Sequence, residues 1–467
     1  MADFSIIAQS AQVRALVQDN ALERAFHDAL FPRTLFRAEA TPKKWPAGVG
    51  DVIVQSRKGL IQVDARPVQP GNDPAVGTYQ VEQWTSQLAQ YGKAIDTDMP
   101  TSMVAIQDLF LTNVHQLGLH AAQTMNRLAR NRLYAAALSG QTVVDTAASS
   151  TSTIHVARLN GFTRARNPNT ANASQVKFDY VSSSNPLTVT IYDNGAAVTN
   201  YVTGYVPDNP GDEFGPGKLT LQNAVTNVAA RAYIYAADKT FLVRSGGAQS
   251  IDAISSANIP TLADLRSAVA YMRQSNVPTY ADGAYHGHLD PTSEAKFFQD
   301  TEFQRLFTSI PEHFAYADFA ISRVMNTVLM RNEECPVPST VVGQDTATYS
   351  ALDPFPGELY AGGTTSGTPI HRVLITGQEA IFEYYQDLEQ ILTEAGINGK
   401  VGEFNITNNS IEVHTDRVQL VIRAPLNRFM DRVSSAWKFI GDWALPTDSV
   451  TPGAARFKRT CVIEHGE

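Results

Sequence analysis

The sequence predicts an α+β protein in which a β-rich domain interrupts a larger one. Three observations lead to this prediction. Apolar residues recur at a mean spacing of about 3.67 positions between Thr101 and Gln141, which indicates one long helix. Residues 143–247 are rich in Ser, Thr, Asn and Gly and contain short alternating runs typical of strands. Strand and helix patterns then alternate from 248 to 410, which indicates a mixed layer of the two.

Composition narrows the possible class of protein. The chain has 467 residues, of which 43% are hydrophobic and 18% charged, so it can bury a core and is not a disordered protein. The net charge of −9 excludes a large cationic field for gripping nucleic acid. The two cysteines, Cys335 and Cys461, exclude a disulfide scaffold and a Cys-rich zinc module. We expect neither an export signal nor a membrane span.

The first two segments look unable to stand alone. Residues 1–48 predict an N-terminal arm, because they carry too little apolar surface for a separate domain. Residues 49–100 predict an extended loop, a long hairpin with a tip rich in Pro and Gly. A lone hairpin is marginally stable in water. It must therefore rest on another surface, either of this subunit or of a neighbour.

The predicted long helix occupies segment 101–142. Thr101 or Ser102 can cap its start and Gly140 can end it, which gives a length of about 55 to 60 Å. The apolar stripe includes Val114, whereas the opposite face is polar and carries Gln116. The helix is therefore not sealed in a core. A helix bundle is the alternative, although no second helix of similar length is apparent.

The inserted β-rich domain, 143–247, contains the best hairpin signal. Leu187, Val189 and Ile191 alternate with polar residues and precede Asp193-Asn194-Gly195. This pattern predicts two antiparallel strands joined by a tight turn.

The next segment, 248–410, predicts a mixed α/β domain. Thr261 and Asp264 form a pair typical of a capping box, at the start of a helix in 260–278. Strands are predicted at 284–289 and 373–375, and a further helix near 380–392. Segment 411–467 predicts a return to long strands, with Val418 and Trp437 on a half-buried pair.

Residues that could carry chemistry give weak signals. His286 and His288 could hold a metal together with Asp290, but no further ligand stands at a fixed spacing from them. The glycine-rich segment 396–400 has the wrong spacing for a phosphate loop. We therefore predict no catalytic residue, no cofactor and no metal, and a protein that is not an enzyme.

Four residues of the extended loop are candidates for contacts between subunits. Arg57, Lys58 and Arg66 could steer acidic groups of a neighbour, or could equally form a solvated face. Trp84 lies on the returning strand of the same hairpin and is the fourth candidate.

The order of these segments resembles the major capsid proteins of tailed bacteriophages, which have the Hong Kong 97-type fold. Several stretches are similar as well, namely YGKAIDTDMPTS before the long helix, RLYAAALSG at its end, YHGHLDPTSEAKFF in the axial segment and VQLVIRAPLNRF near the end. The resemblance covers most of the chain. It implies that 101–142 is the spine helix of a peripheral domain, which 411–467 completes with β strands. It also implies that 248–410 is the axial domain.

The resemblance also implies a function. We expect a major capsid protein that assembles into pentamers and hexamers of an icosahedral shell around packaged double-stranded DNA, without sequence-specific binding. The implied partners are copies of the chain, a separate scaffolding protein, a portal and a decoration protein, with no membrane. The expected location is the virion, after assembly in the host cytoplasm. The alternatives are a bacterial nanocompartment shell protein of the same fold and an unidentified enzyme.

Overall fold

A computed structural model describes residues 35–46, 49–58, 67, 71, 73, 81–98, 109–166, 178–193, 195–210, 213, 215–237, 239–308, 323–336, 368–386, 405–407, 410–415, 417–423, 431–445 and 459–467. The predicted caps Thr101 and Ser102, the contact candidate Arg66 and the glycine-rich segment 396–400 lie outside these residues.

Five α-helices, two short 3₁₀ helices and twenty-three strands lie in the described part of the chain. The helices are α1 Leu35–Ala38, α2 Leu109–Ala137, α3 Leu262–Gln274, α4 Pro291–Phe297 and α5 Thr301–Thr308. The first five strands are β1 Thr41–Lys44, β2 Val52–Lys58, β3 Val81–Gln87, β4 Ala89–Asp98 and β5 Gln141–Val143. The next are β6 Ala148–Val156, β7 Arg164–Arg166, β8 Phe178–Tyr180, β9 Leu187–Asp193, β10 Ala196–Pro207, β11 Gly217–Val228, β12 Tyr233–Ala236 and β13 Leu242–Arg244. The remainder are β14 Tyr285–Leu289, β15 Arg323–Val324, β16 Thr327–Arg331, β17 Ile370–Thr376, β18 Phe382–Tyr385, β19 Asn405–Thr407, β20 Ser410–Thr415, β21 Val418–Arg423, β22 Arg432–Ala444 and β23 Thr460–Gly466.

The chain divides into two compact units. The first contains the described residues up to Val54, together with Thr85–Arg130 and Ile381–Ala444. The second contains the described residues of Gln55–Trp84, Asn131–Ala380 and Leu445–Glu467.

The first unit is built on a seven-stranded sheet and most of helix α2. The strand order is β1-β18-β22-β21-β20-β19, and β4 also pairs with β22. The antiparallel pairing of β21 with β22 confirms the strand pair predicted from Val418 and Trp437. On the helix, the predicted stripe is confirmed, because Val114 is fully buried and Gln116 is exposed.

The described end of the predicted N-terminal arm packs on this unit. The backbone N–H groups of Phe36 and Arg37 both donate to the Asn126 side-chain oxygen, at 2.9 and 3.2 Å. The Arg37 guanidinium also lies 2.8 Å from a Glu383 carboxylate oxygen, and both side chains are buried. A buried pair of opposite charges, joined by hydrogen bonds, therefore fixes this part of the arm.

The helix predicted near 380–392 is wrong for its described part. Residues 382–385 form strand β18, which pairs in parallel with β1 and antiparallel with β22. The sequence here is FEYY, and aromatic residues favour strands. Two flanking strands supply the partners that a helix pattern cannot reveal.

The inserted β-rich domain forms a six-stranded sheet in the second unit, with the order β5-β12-β9-β10-β11-β6. The predicted hairpin is confirmed, since β9 and β10 pair antiparallel with Asp193 opposite Ala196. Gly195 at the turn has a φ of +82°, a conformation that glycine adopts without strain. The alternation predicted for β9 is confirmed, because Leu187, Val189 and Ile191 are buried while the residues between them are more exposed.

A second six-stranded sheet completes this unit, in the order β13-β23-β17-β14-β16-β15. Helix α3 packs against β23 and β13. Its capping box is confirmed, because the Thr261 side chain accepts from the Asp264 N–H and the Asp264 side chain accepts from the Thr261 N–H. The strands predicted at 284–289 and 373–375 are confirmed as β14 and β17.

The strand pairing differs from the predicted grouping of segments. Strand β23, grouped by sequence with 411–467, pairs with β13 and β17 of this sheet. Strand β13, grouped with the insertion, belongs here as well. Every residue of β23 is buried, so its sequence has no alternating pattern that would show its neighbours. Among the described helices, none has the length and apolar character that crossing a membrane requires.

Candidate functional site

The extended loop contains a two-stranded ribbon formed by β2 and β3. In the described part of the chain these strands pair only with each other. The base of the ribbon is held by two hydrogen bonds. The Leu88 N–H donates to the Asp51 carbonyl oxygen at 2.9 Å, and the Gln87 N–H donates to an Asp442 carboxylate oxygen at 3.1 Å. The ribbon is therefore attached at one end.

The outgoing strand exposes apolar side chains. Val52 is 46% exposed and Val54 is 61% exposed, whereas Ile53 between them is 9% exposed. Val49, just before the strand, is 51% exposed. Successive side chains of a strand point to opposite faces, so Val52 and Val54 share one face. We call Val49, Val52 and Val54 the valine stripe. Large contiguous areas of exposed apolar surface mark interaction sites, and the valine stripe supplies three exposed apolar side chains that are close in sequence.

The structure places three of the four contact candidates on this ribbon. Arg57 and Lys58 are the last two residues of β2, and their side chains lie outside the described part. Trp84 is on β3 and is 6% exposed in the single chain. The role of these residues, and of Arg66, in contacts between subunits stays a prediction.

The three residues considered as metal ligands face different partners. The His286 ring contacts an Asp282 carboxylate oxygen at 3.1 Å, and the His288 ring contacts the Asn332 side-chain amide at 3.2 Å. Asp290 caps helix α4, accepting from the N–H groups of its first turn. In the part of the chain that the structure describes, no three His, Cys, Asp or Glu side chains are grouped so that they could hold a metal.

Asp290 instead lies in a buried cluster with two histidines. His371 Nδ1 lies 2.8 Å from Asp290 Oδ2. Burial alone would raise the pKa of the Asp290 carboxyl, but hydrogen bonds and charge from His371 lower it below its ordinary value. The ring of His465 stacks on that of His371 with centroids 5.6 Å apart, and its Nε2 is 2.6 Å from Ser293 Oγ. Burial lowers the pKa of His465 to about 4.

A buried charge network joins three strands of the same sheet. Arg244 of β13 and Arg372 of β17 donate to opposite oxygens of Glu464 in β23, at 3.0 and 2.8 Å. Arg244 also lies 4.5 Å above the ring of Tyr233 in the inserted sheet, within range of a cation–π interaction. Burial would raise the pKa of Glu464, but Arg372 and Arg244 together lower it. Sequence reasoning missed this network, because its members are far apart along the chain and form no motif.

The two ends of the inserted sheet are tied together. The Thr240 hydroxyl lies 2.7 Å from the Ala137 carbonyl oxygen and 3.0 Å from that of Ser139. The Gln141 side-chain amide donates to the Thr240 carbonyl oxygen at 2.8 Å. The chain therefore leaves helix α2 and returns toward β13 at one point.

Comparison with known proteins gives matches only at the level of structure. No protein-family model matches the sequence, and no curated protein matches it either. A capsid of Ralstonia phage GP4 is similar at 13% identity and a TM-score of 0.43, over 94% of this chain and 90% of that one. The cyanophage Pam1 capsid is similar at 9% identity and a TM-score of 0.45, over 92% of this chain and 89% of that one. The acid-stable capsid of Helicobacter pylori bacteriophage KHP30 is similar at 9% identity and a TM-score of 0.44, over 94% of this chain and 92% of that one.

Proposed function

We propose that this chain is a major capsid protein of a tailed bacteriophage with the Hong Kong 97-type fold. In this proposal it assembles into pentamers and hexamers of an icosahedral shell that encloses packaged double-stranded DNA. Its role is structural rather than catalytic. The observation that carries the proposal is the β2–β3 ribbon, which exposes the valine stripe and pairs with no third strand among the described residues.

The ribbon is a feature that assembly would explain. A two-stranded hairpin is marginal in water unless other surface supports it. When a neighbouring subunit covers the exposed apolar groups of the outgoing strand, the free energy of association becomes more favourable by about 25 cal/mol for each Å² of apolar surface removed from water. Copies that meet head to tail close into rings when the rotation allows it. An interface of standard size, about 1,600 Å² in total, repeated around a shell would then give a stable container.

The order of elements supports the same proposal. The described end of an N-terminal arm is followed by the ribbon, by the 29-residue helix α2, by an inserted β sheet and by a mixed sheet with helices. Strands β20, β21 and β22 then return to the sheet of the first unit. This is the order in which the resemblance arranges arm, extended loop, spine helix, axial domain and peripheral strands, and the inserted sheet is an addition to that pattern.

The charge of the chain suits enclosure of DNA rather than tight binding. The net charge is −9, and strong binding of phosphates requires clustered cations. Under this proposal the further partners are a separate scaffolding protein, a portal and a decoration protein. The subunit would assemble in the host cytoplasm and reside in the virion.

A pair of matched substitutions tests the role of the ribbon. Val54→Asp places a charge on the valine stripe, and Val206→Asp places one on a valine of the inserted sheet that is 59% exposed. Burying an unpaired charge in an interface is costly, so we expect Val54→Asp to lower the yield of closed shells more than tenfold. Val206→Asp should assemble as the wild type does. Shells are counted by electron microscopy and sedimentation.

The circular dichroism spectrum should be unchanged in both variants, since both positions are exposed. Deleting residues 58–81 is the stronger perturbation and should leave a folded subunit that forms no closed shells. Normal shells from Val54→Asp and from the deletion would rule out the proposed role of the ribbon.

A further inference from the structure

Asp290, Ser293 and His465 form a chain of hydrogen bonds inside the second unit. The three residues are 1%, 0% and 0% exposed. Ser293 Oγ contacts Asp290 Oδ1 on one side and lies 2.6 Å from His465 Nε2 on the other. His465 Nδ1 then lies 3.0 Å from the Gly466 carbonyl oxygen. Three contacts therefore run in sequence from a carboxyl group to a carbonyl group.

Three contacts require three protons. The Gly466 carbonyl only accepts, so His465 Nδ1 must carry a proton. The Ser293 hydroxyl has one proton, which it can give to only one of its two neighbours. An ionised Asp290 and a neutral His465 thus supply two protons for three contacts. One contact would then join two acceptors, a costly arrangement in a buried site.

Two arrangements satisfy all three contacts with one added proton. In the first, a protonated Asp290 donates to Ser293, which donates to His465 Nε2. In the second, an imidazolium at His465 donates through Nε2 to Ser293, which donates to the Asp290 carboxylate. They differ only in where the proton lies. Taken one at a time, the surroundings lower the pKa of Asp290 and of His465. The two groups share one hydrogen-bonded path, however, and the contact that would otherwise join two acceptors favours the added proton. We propose that Asp290, Ser293 and His465 bind this proton as a unit near neutral pH, and that it makes the attachment of strand β23 to helix α4 pH-dependent.

Charged groups around these hydrogen-bonded residues do not change the number of protons that the three contacts require. His371 of β17 donates to the other oxygen of Asp290, and its Nε2 lies 3.9 Å from a Glu467 carboxylate oxygen. Lys296 of helix α4 adds positive charge near His465, whereas Asp290 adds negative charge. The remaining charged or titratable groups nearby have partners of their own, namely Arg372 with Glu464, Glu294 with Arg331, and His288 with Asn332.

The proposal fixes the sign of the pH dependence. An unfolded His loses its proton above about pH 6.5, and an unfolded Asp above about 3.9. Above pH 6.5 the folded unit holds one proton that the opened chain releases. As the pH rises, the equilibrium constant for opening of β23 then increases about tenfold for each pH unit, until the folded Asp290–Ser293–His465 group loses the proton as well. With an ionised Asp290 and a neutral His465, rising pH would instead favour the closed strand up to about 6.5 and have no effect above it.

Hydrogen exchange of the full-length protein, followed by mass spectrometry, measures the opening of β23. Peptides that cover Thr460–Gly466 are compared between pH 6 and pH 9 after correction for the intrinsic exchange rate. We expect opening of the wild type to increase with pH above 6.5. Asp290→Asn should remove this dependence, because its amide gives Ser293 a permanent donor while its oxygen still accepts from His371. Asn also caps helices as well as Asp does.

A matched control removes a histidine elsewhere. His115 is exposed on helix α2, and His115→Gln should keep the wild-type dependence. Equal dependence in the wild type and Asp290→Asn would overturn the proposal, as would wild-type opening that decreases or stays constant above pH 6.5. A second measurement requires no variant. At pH 7, the carbon-13 shift of the Asp290 carboxyl and the nitrogen-15 shifts of the His465 ring must show either a protonated carboxyl or a doubly protonated ring. An ionised carboxyl beside a singly protonated ring would also overturn it.

Discussion

Glu464→Gln removes the central charge of the Arg244–Glu464–Arg372 network while it preserves the size of the side chain. Glu464 is 1% exposed and accepts from both guanidinium groups. Breaking a buried ion pair by removing one partner costs about 3 to 5 kcal/mol, because the other charge stays buried without compensation. Here two cations lose the same carboxylate, and we expect a loss of free energy of unfolding in the upper half of that range.

The measurement is chemical denaturation of the full chain, followed by circular dichroism at pH 7. Glu302→Gln is the matched control, since Glu302 contacts Arg305 at 2.7 Å with both side chains more than 60% exposed. An exposed pair contributes about 0 to 1 kcal/mol, so this control should be almost as stable as the wild type. A loss below about 1 kcal/mol in Glu464→Gln would refute the view that the network compensates two buried cations.

Two further outcomes follow from the first unit. Gly441→Ala should lower the free energy of unfolding by about 1 to 3 kcal/mol, because an added methyl group would collide with the Tyr384 carbonyl oxygen on the neighbouring strand. Partial burial and the positive charges of Lys93 and Arg127 lower the pKa of His120 below its ordinary value. The unfolded chain therefore binds more protons below about pH 6.5, so wild-type stability should fall as pH falls below that value, and His120→Gln should reduce this fall.

Each of these outcomes has a control. Gly204→Ala also adds a methyl group to a strand glycine, but the nearest atom would lie at 3.7 Å, so its stability should be unchanged or slightly higher. His115→Gln removes an exposed histidine from the same helix as His120. Equal losses in the two glycine variants, or equal pH profiles in the wild type and His120→Gln, would contradict the reasoning. Denaturation of the wild type and of the four variants at pH 5 and pH 7.5 gives the free energies of unfolding that these comparisons need.

Local patterns made the most reliable predictions from sequence. The hairpin at Asp193-Asn194-Gly195 and the capping box of Thr261 and Asp264 are set by contacts within a few residues. The long helix follows from its own periodicity, which places Val114 in a buried stripe. In such elements the residues that determine the structure are neighbours in sequence, so composition and spacing suffice.

Elements that depend on distant partners were harder to assign. Residues 382–385 become a strand because β1 and β22 flank them, and neither is near in sequence. Strand β23 joins its sheet through partners up to about two hundred residues away, and it is buried on both faces. The network around Glu464 and the cluster of Asp290 and His465 arise from this same long-range pairing, which no local spacing reveals.

The candidate contact residues show a similar limit. The hairpin itself was predicted, because proline and glycine at a tip and strand patterns on both sides are local signals. Which of its side chains face outward depends on the strand register. The valine stripe, with Val54 at 61% exposed, was missed for that reason, whereas the charged Arg57 and Lys58 drew attention by type alone.

The hydrogen bonds among Ala137, Ser139, Gln141 and Thr240 bring together the points at which the chain enters and leaves the inserted sheet. A short linker is therefore long enough to join the two flanking segments, and a different module with closely spaced ends would fit at this position equally well. Lineages that share the rest of the fold could thus exchange the module at this position while the sheet that contains β13, β17 and β23 keeps its own strand order.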